Sequence, residues 1–442
     1  MADKRLFCIL WVLLAAVSLA WGADPQKAVE RFVKDCGIKP GSVAVKVIDL
    51  DDGKVIAAHN DARPLVPASI MKSVTTAALL QKTGIDYRYD TKVYIDGPVD
   101  MGIVRGNIIV EGACDPSLNS HAEPVGTDIL AEIVDALKRL GINRVEGDII
   151  IDESQFAGPS RPASWQRDDY STTYGTGSHA LNFENNTRGK HSVEFPEKVF
   201  TTRLKARLRN AGIIIDSKDI GEGIRTPILD HYSAPVDEIM RSCMMRSDNL
   251  FAESMLRTFG KLSGGDGSTV DAAERETKMW RKEKLPMDGV EIIDGSGLSR
   301  ANRVTADFMG AVLSKMSDNP DYASFFPLAG QEGTLKSFLS ETDLDSYIAM
   351  KTGSMKGIQC YAGYKIDDDY VPTHAVVVIM NDITGSRAKA KKAAEKMLLD
   401  IFEDFKPSQS DSEATEPEVA VETEEEDPED INELQPETED NE

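Results

Sequence analysis

The sequence predicts an α+β fold: one antiparallel sheet between helical layers, with a β-rich module inserted in the middle of the chain. Three observations support this prediction. A helix and a hairpin begin the chain, three strands and a helix end it, and short strands dominate the part between. Because each element must bury an apolar face, we expect the two ends of the chain to build one sheet. The main domain is expected to comprise residues 23–85 and 231–405, and the module residues 86–230.

The first part of the chain shows helix and strand patterns in turn. Apolar residues recur at helical spacing in residues 24–36, and Gly37 and Pro40 end this segment. Alternating apolar residues on both sides of an Asp-Asp-Gly turn predict a hairpin. An apolar helix follows, with Gly84 as its cap. The hairpin strands and this second helix are predicted over residues 42–48, 54–59 and 68–82.

The middle and the end of the chain differ in pattern. The middle contains one amphipathic helix, residues 128–140, among short strands at residues 92–95, 107–111, 148–152 and 213–216. Helical periodicity resumes at Val236 and again at Leu250. The last strands and the closing helix are predicted over residues 347–351, 358–366, 373–381 and 388–402.

Composition excludes some classes of protein. The chain has 442 residues, 41% of them hydrophobic, which is enough for a large core. Its net charge of −24 argues against nucleic acid as a partner, because phosphates require a basic surface. All 16 charged residues from Pro407 to Glu442 are acidic. We expect residues 406–442 to be a disordered tail, since such a composition cannot bury enough apolar surface to fold.

Residues 1–22 predict an export signal. Lys4 and Arg5 precede an apolar run from Leu6 to Ala20, and small residues follow that run. The alternative is an uncleaved anchor, but the run is short for a membrane span. We therefore expect an exported protein with no stable membrane span after cleavage.

The cysteine pattern leaves two alternatives. One cysteine lies in the signal segment, and the other four are Cys36, Cys114, Cys243 and Cys360. Their spacing matches no zinc motif. Either disulfides or buried free thiols fit it equally well.

Three short motifs with catalytic potential follow one another along the chain. Common hydrolase motifs, such as HExxH, the nucleophile elbow and the phosphate-binding loop, are absent. The motifs present are Ser-x-x-Lys, Ser-x-Asn and Lys-Thr-Gly, and each occurs at least twice. The pairs are Ser69–Lys72 and Ser386–Lys389, Ser247–Asn249 and Ser317–Asn319, and Lys351–Gly353 and Lys82–Gly84.

Sequence context favours the copy at Ser69. This serine precedes an apolar helix, and Lys72 lies one turn further on the same face. Unpaired N–H groups at a helix start can stabilise an oxyanion, while the lysine accepts the hydroxyl proton. Ser386, by contrast, follows a glycine and is most simply a helix cap.

Context also selects the other two motifs. Ser247 stands between two helical segments, where a polar turn can direct side chains into a cleft, although it could also serve as an N-cap. The segment Lys351–Gly353 is predicted at a strand end, where Lys351 and Thr352 can face a substrate carboxylate and Gly353 leaves room for the substrate backbone. The other copies are a helix-ending turn before Pro320 and a helix C-terminus.

Together these motifs resemble those of the active-site serine penicillin-recognising enzymes. Further segments resemble the class C low-molecular-mass penicillin-binding proteins: Asp294–Arg300, Leu328–Thr334 and Gly147–Asp152. That family comprises D-alanyl-D-alanine carboxypeptidases and endopeptidases with a large insertion before the Ser-x-Asn motif. The resemblance implies a β-lactamase/transpeptidase-like fold in a periplasmic enzyme that cleaves peptidoglycan stem peptides. It implies inhibition by β-lactams and no cofactor or metal.

The resemblance also implies a role for each motif residue. Ser69 would be the nucleophile, Lys72 the general base and Ser247 the proton relay to the leaving amine. Asn249 would bind the substrate amide, and Lys351, Thr352 and Gly353 its carboxylate end. The N–H groups of Ser69 and Ser354 would form the oxyanion hole. A pocket for the diaminopimelate end of the peptide is implied at Asp152, Arg300 and Met355.

Two other functions are compatible with the motifs. A β-lactamase would need a group that activates the deacylating water, and Glu283 is the nearest candidate, without a matching asparagine beside it. A catalytically silent peptidoglycan-binding protein would not need every catalytic position, yet here each one is filled.

Overall fold

The structure, a computed structural model, describes residues 24–122 and 124–405. The predicted export signal, residues 1–22, and the predicted tail, residues 406–442, lie outside the described residues. Within the described part of the chain, no helix is long and apolar enough to cross a membrane.

The helices and strands alternate in the order that the sequence predicts for the two ends of the chain. In chain order they are α1 Pro25–Asp35, β1 Val43–Asp49, β2 Val55–His59, α2 Met71–Thr83, β3 Asp90–Ile95, β4 Val99–Asp100, β5 Ile103–Val104, β6 Ile108–Glu111, α3 Ile129–Arg139, β7 Arg144–Val145, β8 Ile149–Asp152, β9 Thr187–Arg188, β10 His191–Ser192, α4 Pro196–Asn210, β11 Ile214–Ile215, β12 Thr226–Tyr232, α5 Val236–Arg246, α6 Asn249–Leu262, α7 Thr269–Lys282, α8 Ala306–Met316, α9 Pro320–Ser324, β13 Ile348–Met355, β14 Ile358–Ile366, β15 Pro372–Met380 and α10 Arg387–Ile401.

Local chemistry explains where several helices begin and end. The Asp24 side chain accepts a hydrogen bond from the N–H of Lys27, 3.1 Å away, and so caps α1. Asp128 caps α3 in the same way. Gly84 ends α2 with a φ of 71°, a left-handed conformation that favours glycine.

One antiparallel sheet joins the two ends of the chain, as predicted. Its strand order is β13-β14-β15-β1-β2, so β1 from the N-terminal part lies directly beside β15 from the C-terminal part. Val45 is paired with Val378 in this register. Strand β13 is at one edge of the sheet, and this position matters for the site described below.

Helices cover both faces of this sheet. Val43, Val45 and Val47 of β1 pack on one face with residues of α1 and α10. Ala44 and Ile48 pack on the other face with residues of α2, α5, α6 and α8. Successive residues of a strand point to opposite faces, so a strand that is buried on both sides is almost continuously apolar.

In the middle of the chain, β9 and β10 form a two-stranded sheet, and eight other strands form two four-stranded sheets with an apolar cluster of their own. Their strand orders are β12-β3-β6-β8 and β11-β7-β5-β4, and they combine parallel and antiparallel pairs. The cluster also contains the apolar faces of α3 and α4. The strand expected at residues 213–216 is shorter, Ile214–Ile215. The division into a main domain and an inserted module stays a prediction.

The structure corrects one boundary and decides one open alternative. The motif Lys351–Gly353 lies inside β13, which continues to Met355, and not at a strand end as predicted.

In the described part of the chain, Cys36, Cys114, Cys243 and Cys360 are all free and buried. The alternative with disulfides is therefore wrong.

Candidate active site

Ser69 lies in a single 3₁₀ turn, Ala68–Ile70, that leads directly into α2. The residue at the N-cap of α2 is Ile70, whose side chain makes no capping bond. The hydroxyl of Ser69 is therefore not used as a cap. Instead Ser69 Oγ accepts a hydrogen bond from Lys72 Nζ at 3.0 Å, one turn away.

Lys72 connects three parts of the site. Its Nζ donates to Asn249 Oδ1 at 2.6 Å and to the carbonyl oxygen of Ser296 at 2.8 Å, in addition to Ser69 Oγ. The side chain is fully buried, and this burial lowers the pKa of Lys72. Negative charge nearby, including that of Asp248, acts in the opposite direction.

The three contacts define what a neutral Lys72 can do. A neutral amine has two N–H donors and one lone pair. The amide oxygen of Asn249 and the carbonyl of Ser296 can only accept, so they take the two donors. Ser69 Oγ is the one contact of the three that can donate a proton. The lone pair of a neutral Lys72 therefore faces the hydroxyl of Ser69.

Ser247 ends α5 in the left-handed conformation, with a φ of 57°. The following Asp248 is the N-cap of α6, and its carboxylate accepts the N–H of Phe251 at 3.1 Å. The alternative that Ser247 is itself an N-cap is therefore wrong. Ser247 lines a polar cavity of about 340 Å³, together with Asn249 and Tyr174.

Asn249 is held from two sides. Its Oδ1 accepts from Lys72, and its Nδ2 donates to the carbonyl oxygen of Tyr174 at 2.8 Å. A side-chain amide has two N–H donors. The described bonds thus use one of them and leave the other for a substrate carbonyl.

Lys351 and Thr352 lie on the edge strand β13. Lys351 is fully buried, and burial lowers its pKa well below the usual value, with a further contribution from the charge of Lys72. Its Nζ donates to the carbonyl oxygen of Thr352 at 2.9 Å. Thr352 Oγ1 donates to the hydroxyl of Thr334 at 2.7 Å. The negative charge of an anion that entered this site would compensate the positive charges of two neighbouring side chains, Lys72 and Lys351.

The open edge of β13 presents backbone donors. On the side away from β14, the carbonyl of Ile348 accepts a hydrogen bond from the N–H of Ala329. The N–H of Met350 donates to the carbonyl of Pro327 on the same side. Backbone groups alternate in direction along an antiparallel strand, so Thr352 and Ser354 point to the same open side. The N–H of Ser354 therefore faces the site rather than the sheet.

Gly353 brings the edge strand against the turn of Ser69. A Cβ at this position would lie 2.6 Å from the Pro67 carbonyl oxygen and 3.1 Å from the nitrogens of Ser69 and Ile70. The expectation that Gly353 leaves room for a substrate backbone is therefore wrong: the space is taken by the chain's own backbone. Strand β13 therefore lies directly against the turn that contains Ser69.

Comparisons with known proteins decide the family. The model of the D-Ala-D-Ala carboxypeptidase 3 (S13) family matches residues 25–195 and 185–401. The chain belongs to this peptidase family. The resemblance to class C low-molecular-mass penicillin-binding proteins is thereby confirmed, and the S13 chain is a serine-type D-Ala-D-Ala carboxypeptidase.

Curated relatives of this S13 peptidase cover most of its length. Carboxypeptidase DacB of Mycolicibacterium smegmatis is 26% identical over 348 residues, which are 74% of this chain and 74% of the relative. The D-alanyl-D-alanine carboxypeptidase DacB of Haemophilus influenzae is 22% identical and covers 72% of this chain and 80% of the relative.

Solved structures share the fold and confirm the predicted fold class. Penicillin-binding protein 4 of Haemophilus influenzae matches with a TM-score of 0.72 and 20% identity, over 84% of this chain and 98% of that one. A predatory peptidoglycan endopeptidase of Bdellovibrio bacteriovorus matches with a TM-score of 0.54 and 18% identity, over 82% and 93%.

The predicted pocket residues are less closely connected. Arg300 donates to the carbonyl oxygen of Lys356 at 3.1 Å, so it lies beside Met355. Asp152 is engaged elsewhere, in an ion pair with Arg225 at 2.6 Å. A hydrogen bond with Ser154, followed by this pairing, holds the pKa of Asp152 below its usual value. A pocket that uses Asp152, Arg300 and Met355 together stays a prediction.

Sequence reasoning missed several contacts of the S13 site. Thr334 and Ser296 belong to two of the segments that carried the family resemblance, so a signal for them was present. Tyr174 acts through its carbonyl, which leaves no trace in residue type. Among the described residues, one group has metal-ligand atoms within 4.8 Å of one another: Glu153, His179 and Glu197. It shares no residue with the Ser69 network.

Proposed function

We propose that the chain cleaves the D-alanyl-D-alanine end of peptidoglycan stem peptides, as carboxypeptidase and endopeptidase, through an acyl-enzyme at Ser69. The observation that carries this proposal is the position of Lys72 Nζ, fully buried and 3.0 Å from Ser69 Oγ. Burial favours the neutral amine, which is the form that can accept a proton.

In the acylation step, Ser69 Oγ attacks the carbonyl of the penultimate D-alanine. The Oγ proton passes to Lys72 Nζ, and a bond forms between Oγ and the carbonyl carbon. The N–H groups of Ser69 and Ser354 stabilise the resulting oxyanion. Asn249 keeps Lys72 oriented through its Oδ1 and donates its second amide N–H to the substrate.

The second part of the step releases the terminal D-alanine. The carbon–nitrogen bond breaks, and the leaving amine receives the proton from Lys72 through the hydroxyl of Ser247. The carboxylate of the leaving residue is held by Lys351 and Thr352 on the open edge of β13. Burial and the charge of Lys72 destabilise the positive charge of Lys351. The negative charge of this carboxylate compensates that effect.

Water completes the cycle. Lys72 accepts a proton from the water, whose oxygen forms a bond with the acyl carbon. The ester bond to Ser69 Oγ breaks, and the proton returns to Oγ. A β-lactam amide follows the same acylation step, but its leaving group remains attached and blocks the water. One solved structure with the same fold, from Haemophilus influenzae, is a complex with a β-lactam.

The proposed place of action is the periplasm. The predicted export signal at residues 1–22 and the peptidoglycan substrate support it. Curated relatives named carboxypeptidases favour this function over a β-lactamase. The structure places Glu283, the residue that a β-lactamase would use, at the end of α7 with its carboxylate 3.4 Å from Lys315.

Two measurements test the proposal. Labelled benzylpenicillin should acylate the wild-type chain and Ser386→Ala, but not Ser69→Ala. The release of D-alanine from an acyl-D-Ala-D-Ala peptide should exceed the hydrolysis of benzylpenicillin. Labelling that persists in Ser69→Ala would refute the nucleophile, and faster turnover of penicillin than of the peptide would identify a β-lactamase.

A further inference from the structure

Glu253 is a fully buried carboxyl group directly behind Lys72. It lies on α6 one turn after Asn249, so the two side chains share a helix face. Glu253 Oε1 accepts a hydrogen bond from the N–H of Ser296 at 2.8 Å. The carbonyl of the same Ser296 accepts from Lys72 Nζ at 2.8 Å. A single main-chain residue therefore connects the carboxyl group to the lysine.

The loop that contains Ser296 is fixed on both sides of this residue. The Thr75 hydroxyl donates to the carbonyl of Gly295 at 2.9 Å and ties the loop to α2. The carboxylate of Asp294 accepts four hydrogen bonds, from Gly297, Ser299, Asn302 and Trp165. At Ser296 itself, Glu253 is the acceptor for a buried N–H that would otherwise lose a hydrogen bond.

The surroundings of Glu253 favour the protonated, neutral form of its carboxyl group. Burial, followed by the charge of Asp294, raises the pKa of Glu253 to about 8. Its Oε2 has no hydrogen-bond partner among the described residues. The other titratable groups that interact with this centre are Lys72 on α2, Cys243 on α5, Asp248 at the start of α6 and Lys351 on β13. A neutral acid accepts from Ser296 without adding a negative charge next to Lys72.

We propose that Glu253 is a positioning residue for Lys72: it holds the Ser296 main chain so that the Ser296 carbonyl orients the lysine amine toward Ser69. This inference rests on the proposed function of Ser69 and Lys72. Glu253 acts on Lys72 through the geometry of one carbonyl group, that of Ser296.

The test compares two substitutions in the full chain by the second-order rate of Ser69 acylation with benzylpenicillin. Glu253→Gln keeps an oxygen acceptor and should lose no more than about threefold. Glu253→Ala removes the acceptor and should lose about 30-fold, because small displacements of a catalytic group are costly. A rate for Glu253→Ala within threefold of wild type would overturn the proposal. So would an equal loss in both variants, which would assign the carboxyl group its own proton-transfer role.

Glu276 on α7 provides a matched control. It is also fully buried, burial also raises its pKa to about 8, and one of its oxygens lies 3.4 Å from the Trp280 indole nitrogen. Glu276→Ala should lower Tm to a similar extent as Glu253→Ala but leave the acylation rate of the folded protein unchanged. If both alanine variants slow acylation equally, the effect of Glu253 is one of general stability, and the proposal fails.

If Glu253→Ala does not fold, the pH dependence of the acylation rate tests the proposal instead. Above pH 8 the wild-type Glu253 ionises and raises the pKa of Lys72, so fewer molecules have a neutral lysine. Glu253→Gln lacks this ionisation. Its rate relative to wild type should rise by about threefold between pH 7 and pH 9.5. At normal Tm, a loss of more than about tenfold in Glu253→Gln at pH 7 would contradict the proposal, because this variant keeps the acceptor for Ser296. Ser69→Ala, measured in parallel, reports separately on the proposed function.

Discussion

Two helix starts in this chain carry the same Ser-x-x-Lys pattern in different surroundings. At the start of α10, Ser386 Oγ accepts from the backbone N–H of Lys389 at 3.4 Å, and both residues are exposed. At the start of α2, the hydroxyl of Ser69 instead accepts from the side chain of Lys72, which is fully buried. The first pair is a helix cap, and the second is the proposed acid–base pair.

The difference between the two pairs comes from residues outside the pattern. Lys72 is desolvated by the core and bound by Asn249 and Ser296, which are distant in sequence. Lys389 is exposed, and it is its backbone N–H, not its amine, that Ser386 binds. A four-residue pattern therefore specifies a helix start, and its tertiary contacts give it a chemical role.

Removal of the lysine amine should separate the two pairs most strongly. Lys72→Met keeps the apolar stem but has no proton acceptor, so acylation by benzylpenicillin should fall about a thousandfold. Lys389→Met should acylate like wild type. Stopped-flow or quench measurements of the labelling rate provide the comparison. Equal rates in the two variants would show that Lys72 is not the base.

Two glycines near the same serines offer a second contrast. Gly353→Ala would place a methyl group against the backbone of Pro67 and Ser69, at a cost of about 1–3 kcal/mol and about a hundredfold in acylation. A Cβ at Gly385, next to Ser386, would have no atom within 4 Å. Gly385→Ala should therefore retain the wild-type Tm and rate. If Gly353→Ala is as active as wild type, strand β13 does not position Ser69.

The pH dependence of acylation should reveal the environment of Lys72. Burial lowers the pKa of Lys72 below 10.5, and the neutral form is the active one. The rate should therefore increase with pH up to a midpoint below 10.5 and fall about tenfold per pH unit below that midpoint. Benzylpenicillin acylation between pH 5 and pH 10 measures this. A rate that declines as pH rises from 5 to 7 would contradict a neutral lysine base.

Arg300 should show the smallest effect, because it is partly exposed and bound to the main chain of Lys356 rather than to the Ser69 network. If it binds a diaminopimelate carboxylate, Arg300→Ala should lower kcat/KM for a diaminopimelate-containing peptide about tenfold relative to benzylpenicillin acylation. The ratio of the two rates is the quantity to measure. An equal decrease in both would place Arg300 in the support of the catalytic centre and not in a side-chain pocket.

Much of the fold follows from local patterns in the sequence. The hairpin and helices at the start, and the strands and helix at the end, were predictable because each alternation is a property of neighbouring residues. The pairing of β1 with β15 followed from the need to cover both sets of apolar faces. The chosen copies of the three motifs also come together around Lys72 and β13.

Contacts between distant segments were not predictable from the sequence. The carbonyl groups of Tyr174 and Ser296 bind Asn249 and Lys72 through the main chain, which every residue type possesses. The role of Gly353 was assigned to the substrate, because no local pattern shows that Pro67 lies against it. Burial, which makes the pKa of Lys72 fall, is a property of the assembled core.

The contact between Gly353 and the turn of Ser69 has a consequence for biosynthesis. The nucleophile is synthesised early, but the strand that completes its surroundings begins at Ile348, almost 280 residues later. Strand β15, the neighbour of β1, is synthesised later still. A nascent or truncated chain without these strands contains Ser69 and Lys72 in a segment that lacks its sheet. We therefore expect catalytic competence only after β13 and β15 have been synthesised, and no activity in a fragment that ends before β13.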